Sequence, residues 1–244
     1  MKNIKLTIQY DGTNYSGWQI QNNAITVQEV MEKAILKATG EKVKLIGCSR
    51  TDSKVHAREY ICNFFIETRI PAERFNMVVN SYLPEDVVIL NSKETDEKFH
   101  SRFSSKGKTY IYTVFNSKKP TVIGRNYFYY FKYDLDIDKM RKASQNFIGT
   151  HDFSAFKTKG GNVKTSIRTI TECSIKVEGN FIKFTVSGDG FLYNMVRIMV
   201  GTLIEVGIGK IEPESIKSII DSKDRKKAGK CAPGKGLCLE KVFY

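Results

Sequence analysis

The chain has five cysteines, Cys48, Cys62, Cys173, Cys231 and Cys238, but no C-x-x-C pair. This excludes the zinc and redox arrangements that need two thiols within one turn. No apolar run of signal-peptide type opens the sequence, so free thiols in a reducing, cytoplasmic setting are expected. Nor is any stretch suited to crossing a bilayer: the most apolar run, residues 191–208, is interrupted by Asn194, Arg197 and Glu205, which reads as a core helix. No cofactor-binding motif, internal repeat or low-complexity segment is found. Acidic residues are scarce, 26 against 39 Lys and Arg, a formal net charge of +13. Such an excess favours a polyanionic partner, because Lys and Arg release condensed counterions from phosphates. It also serves solubility, and it does not separate tRNA from other RNA.

At 244 residues the chain can bury a core without staples. Residues 2–9 read as a strand. Thr26 and Glu29 form a capping box ahead of Val27, Val30, Met31, Ala34, Ile35 and Ala38, a helix that Gly40 should end. Strands are predicted over 42–46, 59–66 and 86–90, and a helix over 72–82. A second series follows: a strand over 108–115, a helix over 138–148 stopped by Gly149, and a hairpin of 169–177 and 181–186 across Glu178, Gly179 and Asn180. A helix over 194–206, a basic loop over 223–230 and a strand over 237–243 complete it. Two halves of related plan imply an α+β protein with a shared antiparallel sheet backed by helices, divided near residues 98–108 into 1–103 and 104–244.

The chemistry-bearing stretch is Ser49-Arg50-Thr51-Asp52-Ser53-Lys54-Val55-His56, a loop carboxylate between two cations. By itself such an aspartate equally suits an Asx-turn. Arg197 sits among Met195, Val196, Ile198, Met199 and Val200. A guanidinium in that company needs an anionic partner, either Glu205 or a carboxylate elsewhere. At helical spacing Asn194, Arg197, Gly201 and Glu205 form a polar or small stripe, with Gly201 leaving room for another element. Tyr110 and Tyr112 share one face of their strand. Residues 102–119 carry Lys106, Lys108, Lys118 and Lys119 with aromatics between them, a composition for phosphate contact and stacking. Lys223, Arg225, Lys226, Lys227 and Lys230 form a second basic run. His100 and His151 read as structural, and His56 as a further hydrogen-bonding group beside the loop.

The Asp52 stretch resembles the catalytic loop of the TruA family of tRNA pseudouridine synthases, G-R-T-D-A-G-V-H. Four more segments are similar to the same family in the same order: Tyr10-Asp11-Gly12 through Gly17-Trp18-Gln19, Phe99-His100-Ser101-Arg102-Phe103, Asn194-Met195-Val196-Arg197 with Gly201, and Ala232-Pro233-Gly234 with Gly236-Leu237. The resemblance implies two ferredoxin-like, RRM-like lobes with an active-site cleft between them. It also implies Asp52, Tyr110 and Arg197 as catalytic residues, with Asp52 partnering Arg197 and Tyr110 stacking on the uracil. The RNA-binding candidates are Arg50, Lys54, His56, Lys106 and Lys108. The family works without a cofactor, on tRNA, as a homodimer. Ser49, Ser53 and Lys54 replace its Gly, Ala and Gly; Lys54 therefore implies either a different turn or a strained one. Beside a synthase acting on the tRNA anticodon stem-loop stand a paralogue for another structured RNA, such as ribosomal RNA, and a non-catalytic RNA-binding protein.

Overall fold

Ile4, Leu6, Ile8 and Tyr10 alternate along β1 (Lys2–Tyr10), and the strand buries them all on one face. In the computed structural model, which describes residues 1–160 and 164–244, the chain divides into two units. The first comprises Met1–Lys106 and Cys238–Tyr244, the second Gly107–Leu237. Both mix strands and helices, so the fold class is α+β.

In the first unit α1 (Val27–Thr39) starts at Thr26, whose hydroxyl accepts from Glu29 N at 3.4 Å, and stops at Gly40 in a left-handed cap. β2 (Ile46–Gly47), β3 (His56–Ile66), α2 (Phe75–Asn80) and β4 (Val87–Thr95) follow. β1 lies between β3 and β4, antiparallel to both, and β2 pairs antiparallel with β3. Residues 42–45 are not the strand expected there. Side chains of α1 take the backbone of Leu45 instead: Leu45 N donates to Glu32 Oε1 at 2.9 Å, and Gln28 Nε2 donates to Leu45 O at 3.3 Å. The helix expected over 72–82 opens as a 3-10 turn, Ala72–Arg74, and ends at Asn80, whose carboxamide brackets the backbone of Ile89 at 3.0 and 2.8 Å.

The second unit contains β5 (Gly107–Asn116), β6 (Tyr129–Phe131), α3 (Ile137–Ser144), β7 (Gly149–Asp152), β8 (Ile167–Glu178), β9 (Phe181–Gly188), α4 (Met195–Gly207) and α5 (Ser215–Ser222). β9 lies between β5 and β8, and β7 pairs with β8. The hairpin turn is Gly179-Asn180 alone, since Glu178 already pairs with Phe181. α3 is shorter than expected, and Ser144 Oγ donates to Arg141 O at 2.8 Å, competing with the helical ladder where α3 gives way to a 3-10 turn. β6, β7 and α5 escaped sequence patterning because they are three, four and eight residues long.

β10 (Leu237–Phe243) returns to the first unit and pairs with the start of β3. That pairing is parallel, as is β5 with β6, so the pairing is mixed and not wholly antiparallel. Parallel neighbours need long connections, and the chain builds most of the second unit before β10 arrives. The expected division at residue 103 is drawn at 106, with the C-terminal strand on the other side of it. A buried polar network holds that end in place. Asn63 Nδ2 donates to Asn3 Oδ1 at 2.9 Å, Asn63 Oδ1 accepts from Ser101 N and Oγ at 2.9 and 2.7 Å, and Tyr244 OH donates to Ser101 O at 2.7 Å.

Eleven of the thirteen α4 residues are buried, which makes it a core helix; the two others are Arg197 and Glu205. Over this stripe residues 229–232 lie as a strap. Gly229 N donates to Thr202 Oγ1 at 2.9 Å, Lys230 N to Glu205 Oε1 at 3.0 Å and Ala232 N to Arg197 O at 3.1 Å. A Cβ on Gly201 would stand 1.7 Å from the Lys230 carbonyl oxygen. Gly201→Ala should therefore lift the strap and lower stability by about 2–4 kcal/mol, the range of severe overpacking, read as a fall in urea midpoint at constant slope.

Candidate active site

The Asp52 loop joins β2 to β3 and is clasped by residues 10–18 of its own unit. Trp18 N donates to Thr51 O at 3.2 Å, Tyr10 OH and Thr51 Oγ1 lie 2.8 Å apart, and Lys54 N donates to Tyr15 O at 3.1 Å. Such close backbone approach needs small residues. At Gly17, with φ +91°, a Cβ would sit 2.2 Å from Thr51 O, and at Gly12 one would sit 2.0 Å from Val55 O. Behind the loop Trp18 stacks on Tyr60 at 4.2 Å, and the Tyr60 hydroxyl donates to Ser49 O. Burial pushes the Tyr60 phenol well up, so it remains a donor.

Within the clasp, Val55 N donates to Asp52 O at 3.2 Å, closing a turn that leaves Asp52 half-buried. Lys54 is the third residue of that turn and has φ +64°. The substitution for glycine has thus kept the left-handed backbone and carries its strain. Among the described residues three non-glycines have positive φ: Lys54, Asn194 and Lys223. Arg50, Ser53 and Lys54 are exposed around the carboxylate, and Thr51 is buried beneath it.

His56 is 6 % exposed, and its Nδ1 accepts from Gly12 N at 3.0 Å. Asp11 Oδ1 also lies 3.0 Å from that nitrogen, yet it accepts from Thr13 N and Oγ1 at 2.9 and 2.5 Å. That nitrogen thus faces both the Gly12 amide and the Asp11 carboxylate. His56 therefore ties Gly12 to the loop.

In the second unit Tyr110 is buried and meets Phe191 edge-on at 5.2 Å and 88°. Tyr112 is fully buried and donates to Pro233 O at 2.8 Å; burial pushes its hydroxyl far up, a structural phenol. Arg197 is part-buried, donating from Nε to Ala232 O at 2.7 Å and from Nη1 to Asn194 Oδ1 at 2.6 Å. Of the remaining cations, Lys106 is exposed and Lys108 is only 8 % exposed. Lys118 pairs with Asp134 at 2.6 Å and Lys223 with Asp152 at 3.2 Å, while Lys226, Lys227 and Lys230 are exposed. No helix among the described residues is long and apolar enough to cross a membrane.

The family model described as tRNA pseudouridine synthase matches residues 6–104 and 143–244. The chain belongs to the tRNA pseudouridine synthase family. Its relatives named tRNA pseudouridine synthase A include those of Clostridium kluyveri, 59 % identical, Clostridium acetobutylicum, 58 %, and Acetivibrio thermocellus, 52 %, each over 100 % of both chains. Asp52 and Arg197 fall inside the family match; Tyr110 falls between its two segments but inside the full-length relatives.

Sequence reasoning quoted residues 10–19 for this family without giving them work; their work is the clasp. The signal was the pair Gly12 and Gly17 in an otherwise ordinary loop. The strap spans the end of the basic run 223–230 and the start of the family segment at Ala232, and only the glycine at 229 hints at it. Lys54→Gly should raise stability by about 0.5–1 kcal/mol, while Gly17→Ala, which also needs φ +91°, should lower it by about 3 kcal/mol or more, both read by chemical denaturation.

Proposed function

We propose that the protein isomerises uridine to pseudouridine in the anticodon stem-loop of tRNA, at positions 38 to 40, with Asp52 as the catalytic carboxylate. The observation that carries this reading is the clasped, half-buried Asp52 turn, flanked by the exposed Arg50 and Lys54, in a member of this family. The reaction breaks the bond from uracil N1 to ribose C1′, turns the base, and joins C5 to C1′; the proton on C5 leaves and one is gained at N1. No redox change or hydrolysis is involved. An aspartate serves it as a nucleophile toward C1′ or as a base at C2′, and either role needs an ionised carboxylate in a fixed position.

The target nucleotide has to leave its helical stack to reach such a carboxylate. We assign Tyr110 to stacking on the extruded uracil and Arg197 to holding the carboxylate ionised and oriented. Arg50, Lys54 and Lys106 are the exposed cations assigned to the RNA backbone. His56 and Lys108, both buried, complete the set we assign to RNA binding. A cytoplasmic homodimer with one tRNA across both subunits is the assembly we propose.

Asp52→Asn, which keeps size and removes the charge, should reduce pseudouridine formation on an unmodified tRNA transcript by about 10³-fold or more, with tRNA binding retained. Chemical mapping of pseudouridine along the transcript checks both the loss and the positions. Modification of ribosomal RNA in place of tRNA would identify the paralogue. Binding without any product from wild type would identify an RNA-binding protein.

A further inference from the structure

Asn194 occupies the N-cap of α4 but does not behave as a cap. An N-cap residue ordinarily has extended backbone and accepts from the second or third amide of its helix. Asn194 instead has φ 62° and ψ 8°, in the left-handed region, and no side-chain cap bond forms among the described residues. Its carbonyl still begins the helix, accepting from Ile198 N at 3.0 Å. The residue thus adopts a costly backbone and forgoes the usual helix-start bond, and something else uses its side chain.

That something is Arg197. Three residues on in the first turn of α4, it lies on the same face as Asn194. Arg197 Nη1 donates to Asn194 Oδ1 at 2.6 Å, and Asn194 Nδ2 donates to Thr158 Oγ1 at 2.9 Å. The guanidinium decides which end of the carboxamide faces it: it has only donors, so it meets Oδ1, and Nδ2 is left to donate to Thr158 Oγ1. Thr158 is itself held, its N donating to Tyr193 O at 3.2 Å. From the strap, Ala232 O accepts Arg197 Nε at 2.7 Å. Two of the five donors of a rigid planar group are thereby fixed at two different nitrogens, which sets both its tilt and its roll. Both acceptors are uncharged oxygens.

We infer that Asn194 is a positioning residue for the reaction: its carboxamide, braced by Thr158, sets the orientation in which the Arg197 guanidinium acts. The inference rests on the reading above that Arg197 takes part. Left-handed backbone is what makes it testable, because glycine keeps that conformation while deleting the side chain, and aspartate keeps an acceptor toward Arg197.

The experiment compares full-length wild type, Asn194→Gly and Asn194→Asp. Single-turnover pseudouridine formation, tRNA affinity and thermal midpoint are measured, together with the ¹⁵N resonance of Arg197 Nε–H. Asn194→Gly should slow the chemical step about 10- to 100-fold with affinity within about twofold, and Asn194→Asp should recover to within about threefold of wild type. The Arg197 signal should broaden in the glycine variant and sharpen again in the aspartate variant. A merely structural asparagine would lower the thermal midpoint with an unchanged rate per folded molecule, and that result overturns the inference. So does an aspartate variant as slow as the glycine one. If wild type forms no pseudouridine, the proposed function fails and the resonance still decides the positioning: an unchanged Arg197 signal in Asn194→Gly sinks it, a broadened one upholds it.

Discussion

Close approach of backbone to backbone, made possible by glycines, is the constraint on which the Asp52 loop and the Arg197 helix each depend. Residues 10–18 reach the Asp52 loop because Gly12 and Gly17 present no Cβ to the carbonyls of Val55 and Thr51. Once there, Trp18 and Lys54 make main-chain bonds that a loop in water would otherwise make to solvent. Each such bond is modest, about 1 kcal/mol net, but together they restrain the loop between β2 and β3. A catalytic carboxylate gains from that rigidity, because an aspartate on a mobile loop would spend its binding energy on becoming ordered.

The second unit solves a related problem with the same means. A core helix as apolar as α4 has no room for a guanidinium on its packed faces, so Arg197 lies along the narrow stripe that Gly201 opens. The strap then covers the stripe and supplies the carbonyl of Ala232 to Arg197 Nε. Hydrogen-bonded in this way, the guanidinium is held within a helix built largely from Val, Ile, Leu and Met.

Local strain gathers at these places. Of the three described non-glycine residues with positive φ, Lys54 closes the Asp52 turn and Asn194 opens the Arg197 helix. Strain of this kind persists only where surrounding structure over-determines the backbone, and both segments are held by several independent bonds. The net charge of +13 has a different logic: it acts at a distance on a polyanion and places little demand on local geometry, which is why basic side chains are spread over loops in both units.

Legible in the residues alone were the α+β class, the capped helix at Thr26, the last strand at 237–243, the core character of α4 and the identity of the Asp52 loop. These rest on periodicity, caps and motif residues that act within a few positions of one another. The sequence also showed that Lys54 had to be strained or the turn different, since the left-handed requirement belongs to a single residue. Long-range packing settled that Leu45 would give its backbone to Glu32 and Gln28 and not to a sheet, that β10 would join the first unit, and that 229–232 would be a strap. It alone gave Gly12, Gly17 and His56 their work as a clasp, and made the Asn194 side chain a partner of Arg197. Each of these choices is a competition between hydrogen-bond partners far apart in the chain, and composition and spacing contain no term for a partner that folding has yet to bring near.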